Sequence, residues 1–336
     1  MGIYLNPSNE LFIFSANSVP YVDKSGIIAV LNRMIHTDDR YVCVSRPRRF
    51  GKTMTANMLS AYYNREYDAL ELFERLNIAG DDSFKKHLNR YDVIFLDISD
   101  LYSKSAVGEM IVTIENMLIR DLMKAYPDIP RNDLSFIDYL KEVHATTGTG
   151  FIIIIDEWDC VFREKEESGA AREEYLEFLR KFLKDKSYVS LVYMTGILPI
   201  KKYISDSALN MFQEFSMSDP SVFAEFTGFT GEEVNALCDT YSMDFGEMAV
   251  WYDGYRFPSV PSVYNPRSVV LAIKRRKYSS YWTKTVSFEA LQIYIGMNFD
   301  GLRESVVSLL AGNKVKVKTD TFSNDMVTFQ RKDDIL

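Results

Sequence analysis

The sequence predicts an α/β fold, in which a parallel sheet with flanking helices is followed by a smaller helical subdomain. Two observations predict it. Short, nearly continuous apolar runs alternate with segments of helical periodicity, and this alternation gives way to a mainly helical pattern after about Phe215. Runs that are apolar at almost every position suit the strands of a parallel sheet covered on both faces. Strands and helices in alternation are typical of a doubly wound α/β sheet.

Four apolar runs predict the strands. They are residues 41–45, 93–98, 151–155 and 189–194, and they are rich in β-branched and aromatic side chains. Between them, apolar residues recur three and four positions apart, which is the spacing of a helix with one buried face. The segment after the first strand shows this spacing in Met54, Met58, Leu59 and Tyr62. We therefore expect a core domain over residues 1–219.

A helix start marks the second region. Thr230-Gly-Glu-Glu233 is a capping box, in which the threonine hydroxyl and the glutamate carboxylate each accept a hydrogen bond from the other residue's backbone N–H. Helical patterns continue beyond it and are interrupted by a turn-rich stretch over residues 253–266. We expect a small helical lid subdomain over residues 220–312. Residues 313–336 are expected to form a tail, or a linker toward a C-terminal domain that is missing here.

Composition excludes several classes of protein. The 336 residues are 47% hydrophobic and 26% charged, as in an ordinary folded domain. A net charge of −8 argues against a general nucleic-acid coat, and the basic clusters at 274–277 and 314–318 are more typical of solvated faces. No apolar stretch approaches the roughly 20 residues of a membrane helix, and the start lacks a secretion signal. The cysteines and histidines show no metal-ligand spacing. We expect a cytoplasmic protein without membrane association.

The first strand runs into Ser45-Arg-Pro-Arg-Arg-Phe-Gly-Lys-Thr53, a loop that ends in Gly-Lys-Thr and opens a helix. A strand, a tight loop and a helix in this order are the context of a P-loop, whose backbone N–H groups converge on phosphates. Gly51 lets the backbone approach the ligand, Lys52 places its ammonium against the β- and γ-phosphates, and the Thr53 hydroxyl binds Mg²⁺. The loop neighbours expected to contact nucleotide are Arg48, Arg49, Phe50 and Met54.

One position departs from the usual phosphate-loop pattern. Gly-x-x-x-x-Gly-Lys-Thr would place a glycine where this sequence has Arg46. The alternative is a basic helix start with a chance Gly-Lys-Thr. The strand and helix around the motif favour the first interpretation and predict a P-loop NTPase parallel sheet with flanking helices, followed by a small helical lid subdomain.

Two adjacent acids end the third predicted strand. In a parallel sheet the carboxyl ends of the strands share one edge, so Asp156 is expected to emerge near the phosphate loop and to hold Mg²⁺. Glu157 is then placed to polarise the attacking water as a catalytic base. The fourth strand ends at Thr195, whose hydroxyl would lie beside the γ-phosphate and orient that water. The alternatives are that the acids only cap a helix and that Thr195 only starts a turn.

Five sequence segments together resemble the AAA-ATPase-like family of bacteria. They are Tyr21-Val-Asp-Lys24, the phosphate loop, Asp156-Glu157-Trp-Asp159, Thr195-Gly-Ile197 and Tyr264-Asn-Pro266. The family usually carries Arg-Pro-Arg-Arg-Phe-Gly-Lys-Ser or -Thr, so Arg46 is typical of it. The resemblance extends from Tyr4 to about Ala311. It implies a core similar to STAND-type and archaeal ATPases, followed by a helical lid.

The resemblance also implies further roles and partners. Asp23 and Lys24 are expected to line the base side of the nucleotide, with a helix cap as the alternative for both. Arg256 is expected to reach the γ-phosphate from the lid, with a surface arginine as the alternative. Many members of the family continue into a domain that resembles PD-(D/E)xK nucleases. A nuclease-like domain or a partner protein, and nucleic acid through that partner, are therefore candidate partners, and an oligomer stays open.

The function that follows is Mg²⁺-dependent ATP binding with hydrolysis, in a domain that regulates an attached or partner effector. Lys52 would act as the electrostatic clamp and Glu157 as the base. ATP is favoured because the sequence has no Asn/Thr-Lys-x-Asp guanine signature. The alternative is a slow nucleotide-gated switch with little turnover, which would control a nuclease or a nucleic-acid-binding partner.

Overall fold

The computed structural model describes residues 2–163, 168–200, 209–281 and 301–317. Most of the expected tail, residues 318–336, lies outside the described residues. In the part of the chain that is described, no helix combines the length and the apolar character needed to cross a membrane.

Five parallel strands form the central sheet. They are β1 (Tyr41–Ser45), β2 (Asp92–Asp97), β3 (Phe151–Asp156), β4 (Val189–Gly196) and β5 (Gln213–Phe215). Their order across the sheet is β2-β3-β4-β1-β5. The four predicted strands are confirmed. Strand β5 was not predicted, because three residues are too few to give a recognisable strand pattern. Strand β4 separates the phosphate-loop strand β1 from the acid-bearing strand β3.

Helices cover both faces of the sheet, which confirms the predicted α/β class. They are α1 (Glu10–Ala16), α2 (Gly26–Met34), α3 (Lys52–Tyr63), α4 (Leu70–Phe73), α5 (Phe84–His87), α6 (Ile98–Ser103), α7 (Val107–Ala125), α8 (Phe136–Thr147), α9 (Cys160–Arg163) and α10 (Gly169–Leu183). Strand β3 shows why its run is apolar throughout. Phe151, Ile153 and Ile155 pack into the core beneath α7, α8 and α10, while Ile152 and Ile154 pack into the core beneath α1, α2 and α3.

The region after residue 220 has its own core. Its helices are α11 (Gly231–Tyr241), α12 (Phe245–Tyr252) and α13 (Pro266–Arg275), and a further helix, α14, spans Leu302–Leu310. The capping box is present, because the Thr230 hydroxyl accepts from the Glu233 N–H and the Glu233 carboxylate accepts from the Thr230 N–H at 2.8 Å. The turn-rich stretch contributes two short strands, β7 (Asp253–Tyr255) and β8 (Val263–Tyr264). With β6 (Phe229–Thr230) they form an antiparallel sheet that the helical prediction did not include.

Apolar and polar contacts join this region to the core. Phe50 of the phosphate loop is buried in a small apolar cluster with Ala224, Phe257 and Val263. Lys24, just before α2, donates to the Glu233 carboxylate at 2.6 Å. The capping-box glutamate thus also anchors α11 to the core.

Candidate active site

The phosphate loop turns sharply between β1 and α3. Arg49 and Gly51 have left-handed backbone conformations, with φ of 73° and 86°. Gly51 precedes the first residue of α3, and a Cβ atom on it would meet nothing within 4 Å. The glycine is therefore required by its backbone angle and not by crowding. The free N–H groups at the start of α3 face this turn, as an anion site requires.

Lys52 is buried at the mouth of the loop. Its ammonium donates to the carbonyl oxygens of Arg46 at 3.1 Å and Pro47 at 3.3 Å, and it lies 3.7 Å from the Glu157 carboxylate. Burial lowers the pKa of Lys52, and the carboxylates of Glu157 and Asp156 oppose that shift. The loop thus holds the Lys52 ammonium close to the acids at the end of β3.

Asp156 ends β3 almost completely buried. Its carboxylate accepts hydrogen bonds from the Thr195 hydroxyl and from the Glu157 N–H. Burial raises the pKa of Asp156, and the hydroxyls of Thr195 and Thr53 oppose the shift. The two expected metal ligands, Thr53 and Asp156, line the same cavity. Thr195 lies beside Asp156, and its hydroxyl orients that carboxylate.

Glu157 has a left-handed backbone, with φ of 53°, and its carboxylate contacts two cations. One oxygen lies 3.7 Å from Lys52 and the other accepts a short hydrogen bond from Arg163. Arg163 also donates to Asp159 at 2.9 Å. Sequence analysis did not identify Arg163. An arginine seven positions beyond the strand-ending acid has no recognisable spacing signal, because α9 turns it back onto the site.

Trp158 and Asp159, which follow Glu157, pack against the end of β4. Trp158 is fully buried, and a Cβ atom on Gly196 would lie 2.6 Å from its indole nitrogen and 2.7 Å from an Asp159 oxygen. Gly196 is therefore the residue that lets β4 end against the loop after β3. Asp159 accepts from the backbone N–H groups of Ile197 at 3.0 Å and Leu198 at 2.7 Å. The motifs after β3 and β4 thus form one packed unit.

Arg46, the residue in place of the usual first glycine, is fully buried. Its guanidinium donates to the Thr227 hydroxyl at 2.7 Å and to the carbonyl oxygens of Ser45 at 2.8 Å and Phe215 at 2.7 Å. Burial lowers its pKa to about 10. Arg46 therefore ties β1 to β5 and to Thr227, which is a structural role.

Two cavities meet at the phosphate loop. The first has a volume of about 490 Å³ and is lined by the acids and cations of the site. Asp97, the last residue of β2, and Ser99 in α6 line it as well. Asp97 pairs in register with Asp156, and sequence analysis did not single it out. The second, of about 380 Å³, lies between the segment before α2, the loop and α13. Arg49, Gly51 and Met54 line both cavities, so the two are neighbours.

Unpaired cations surround the boundary between the cavities. Arg48 and Arg49 are exposed, and Arg267 at the start of α13 lines the second cavity. Partial burial lowers the pKa of Arg49, with further lowering from Arg267 and Arg48. Among the described residues, none of these three arginines has a carboxylate within 4 Å. These arginines place positive charge beside the phosphate loop.

The remaining expected residues have different surroundings. Phe50 lines the second cavity. Asp23 accepts from the Ser25 N–H at 2.8 Å and from the Asn77 N–H at 2.5 Å, and it does not line the second cavity, whereas Lys24 does. Arg256 is exposed and lines neither cavity, so the structure does not bring it to the loop. Arg267 at the start of α13, which sequence analysis did not consider, lines the second cavity beside the loop.

The oxygen donors at Thr53 and Asp156 fit a magnesium ion bound together with phosphates. Both are hard ligands, and the Asp156 carboxylate is already aligned by its hydrogen bond from the Thr195 hydroxyl. Within the described ranges, no group of three or more His, Cys, Asp or Glu side chains is arranged to hold a metal. This donor set suits an ion that takes its other ligands from phosphate and water.

Comparisons with known proteins show the family of the chain. The model of the AAA-ATPase-like family, described as predicted AAA-ATPase, matches residues 13–204, more than half of the chain. A relative in Azotobacter chroococcum mcd 1, described as an uncharacterized protein in the vnfD 5'region, is 24% identical over 278 residues. That alignment covers 79% of this chain and 50% of the relative, so the chain spans half of that protein's length.

A solved structure, the ORC2 protein of Aeropyrum pernix in its ADPNP-ADP complexes, is 12% identical with a TM-score of 0.38. The match covers 85% of this chain and 67% of that one. A likeness this distant carries no argument about the site.

Proposed function

The chain belongs to the predicted AAA-ATPase family, and from this premise we propose that it binds ATP with Mg²⁺ and hydrolyses it. The observation that carries the proposal is the convergence of Lys52, Thr53, Asp156 and Glu157 on one cavity at the carboxyl edge of a parallel sheet. The family match supports a nucleotide-binding site, and the contacts described above support the roles that we propose for its residues.

The nucleotide would extend across both cavities. The triphosphate would lie over the start of α3, where the backbone N–H groups and Lys52 provide positive charge. Arg49 and Arg267 flank the passage to the second cavity, whose lining includes Pro20, Val22 and Met58. A largely apolar cavity with cations at one end suits a base and ribose with the phosphates directed at those cations.

Chemistry at the γ-phosphate would depend on two acids with different roles. Thr53 and Asp156 would hold magnesium, which when bound neutralises charge on the phosphate oxygens. Glu157 would accept a proton from the attacking water as the new O–P bond forms and the bond to ADP breaks. Thr195 would act through its hydrogen bond to Asp156, by keeping that carboxylate in place.

A slow nucleotide-gated switch is the second candidate, and one observation favours it. One Glu157 oxygen is hydrogen-bonded to Arg163 and the other lies 3.7 Å from the Lys52 ammonium, and a base held between cations in this way would turn over slowly. In either case we propose a cytoplasmic core over 1–219 and a lid over 220–312. The lid would pass the nucleotide state to an effector, such as a nuclease-like domain or a nucleic-acid-binding partner.

Isothermal titration with ATP and Mg²⁺ tests the binding site. Lys52→Ala should lose ATP binding because the fixed ammonium at the loop is removed. Lys181→Ala, which removes an exposed lysine of α10 paired with Glu177, is the matched control and should bind as wild type does. Wild-type affinity in a folded Lys52→Ala protein would exclude the proposal. A steady-state rate of phosphate release then separates the hydrolase from the slow switch.

A further inference from the structure

Arg163 forms a bridge between two acids of the site. Its Nε donates to Asp159 at 2.9 Å, and its Nη2 makes a short contact with the Glu157 carboxylate. The side chain is only 10% exposed. Charge-assisted contacts of a planar guanidinium with two carboxylates fix its position more firmly than either contact would alone.

Asp159 connects this bridge to the sheet. It is fully buried and accepts from the backbone N–H groups of Ile197 and Leu198, which follow β4. Removing either hydrogen-bond set would leave a buried carboxylate poorly satisfied, which is costly. Arg163 is therefore fixed to the end of β4 as well as to Glu157, and it cannot move away from the base independently.

The two cations on Glu157 would respond differently to ATP. Lys52 lies in the phosphate loop, so a triphosphate there competes directly for its ammonium. Arg163 already has its charge balanced by Asp159 and Glu157. Nucleotide binding would thus free one oxygen of Glu157 and leave the other bound to Arg163.

We propose that Arg163 is a positioning residue that restrains Glu157 and keeps hydrolysis slow in the ATP-bound protein. This inference rests on the proposed function, since it assigns a regulator to the same base. Turnover requires the Glu157–Arg163 pair to separate. Through Asp159, that separation is linked to the residues that follow β4.

Single-turnover hydrolysis of Mg·ATP by the full chain is the test, with affinity measured in parallel by titration. Arg163→Gln removes the charge but keeps an amide that can donate to Asp159. It should raise the hydrolysis rate by about tenfold, the order of one charge-assisted hydrogen bond, and leave Kd within about twofold. Arg163→Lys should give a smaller increase, because an ammonium does not reproduce the two-acid fork. Arg180→Gln, which breaks an exposed pair with Glu177, is the control and should change nothing.

The increase in the hydrolysis rate should depend on Glu157, the proposed base. Arg163→Gln should therefore give no increase when it is combined with Glu157→Gln. A rate equal to or below that of the wild type in Arg163→Gln, with ATP still bound, would overturn the restraint and indicate that Arg163 supports catalysis. If Arg163→Gln does not fold, Arg163→Lys decides by the same criterion. Failure of the wild-type chain to bind Mg·ATP would instead refute the proposed function, so the two failures are distinguishable.

Discussion

The ring of Phe50 meets the ring of Tyr255 edge to face, with 5.3 Å between the ring centroids and 79° between the ring planes. Phe50 belongs to the phosphate loop and directly precedes Gly51, whereas Tyr255 belongs to β7 of the lid. Gly228 approaches the same ring, since a Cβ atom on it would lie 3.2 Å from Phe50. A shift of the loop on binding phosphate would therefore be transmitted to the lid through an apolar contact.

Phe50→Ala should uncouple the lid from nucleotide. The lost ring leaves a cavity that costs roughly 3–5 kcal/mol of stability, while the backbone N–H groups that bind phosphate remain. Hydrogen exchange with and without a non-hydrolysable ATP analogue should show protection around Gly51 in both proteins. Protection of residues 250–268 should appear in the wild type alone. Phe14→Ala, at a phenylalanine that is 66% exposed, is the control. Equal protection of 250–268 in both variants would contradict the coupling.

The phosphate loop and the acids after β3 were predictable because their signals are local. Asp156 follows five apolar residues and Lys52 follows a Gly in a strand–loop–helix context, so parallel-sheet geometry alone predicts that they share an edge. The register confirms that shared edge, with Ser45 opposite Gly196 and Asp97 opposite Asp156. The capping box at Thr230 is local in the same sense.

Arg163, Arg267 and the role of Arg46 were not predictable, because they depend on packing between distant segments. Arg46 donates hydrogen bonds to Phe215 and Thr227, more than 160 positions away. Arg267 reaches the second cavity only because α13 packs beside the phosphate loop. The two strands of the turn-rich stretch were missed for a related reason. Each has only two or three residues, and pairing across β8 stabilises them more than their own propensity does.

Glu157→Gln and Asp156→Asn should separate chemistry from metal-dependent binding. Glu157→Gln removes the base and keeps its shape, so ATP should bind while turnover falls by roughly 10²–10⁴. Asp156→Asn removes a buried charge from the cavity that Thr53 also lines, so it should also weaken Mg²⁺-dependent binding. Titration with and without Mg²⁺, together with phosphate release, measures both effects. Unchanged turnover in Glu157→Gln would make Asp159, the other acid that accepts a hydrogen bond from Arg163, the next candidate for the base.

Arg267→Ala should weaken ATP binding more than Arg256→Ala. Arg267 lines the cavity beside Arg49, whereas Arg256 is exposed and lines neither cavity. Loss of one charge-assisted contact with phosphate predicts about a tenfold or larger increase in Kd for Arg267→Ala. ADP and ATP should be titrated separately, since a larger effect on ATP would place the guanidinium near the γ-phosphate. A larger loss in Arg256→Ala would support the lid arginine predicted from sequence.

Stability should fall as the pH is lowered from 7.5 to 5.5, with His87 as a main cause. His87 is buried, and its Nδ1 lies 2.7 Å from the Tyr91 hydroxyl. Burial lowers its pKa below 6.5, with smaller lowering from Lys86 and His36. The pKa of His36 is lowered too, by burial and then by Arg40 and His144, but His36 is more exposed and should contribute less.

The direction of the pH effect follows from the number of protons that the folded and the unfolded protein bind. A histidine with a lowered folded-state pKa binds fewer protons than in the unfolded chain, so its stabilising effect is complete above pH 6.5 and is lost below it. The slope is at most about 1.4 kcal/mol per pH unit for one histidine. Urea unfolding at several pH values should show this slope in the wild type. It should be reduced in His87→Gln and nearly unchanged in His36→Gln. An equal slope in wild type and His87→Gln would assign the acid sensitivity to other groups. The window stops at pH 5.5 because carboxylates with lowered pKa, such as Asp81 and Asp138, would begin to contribute below it.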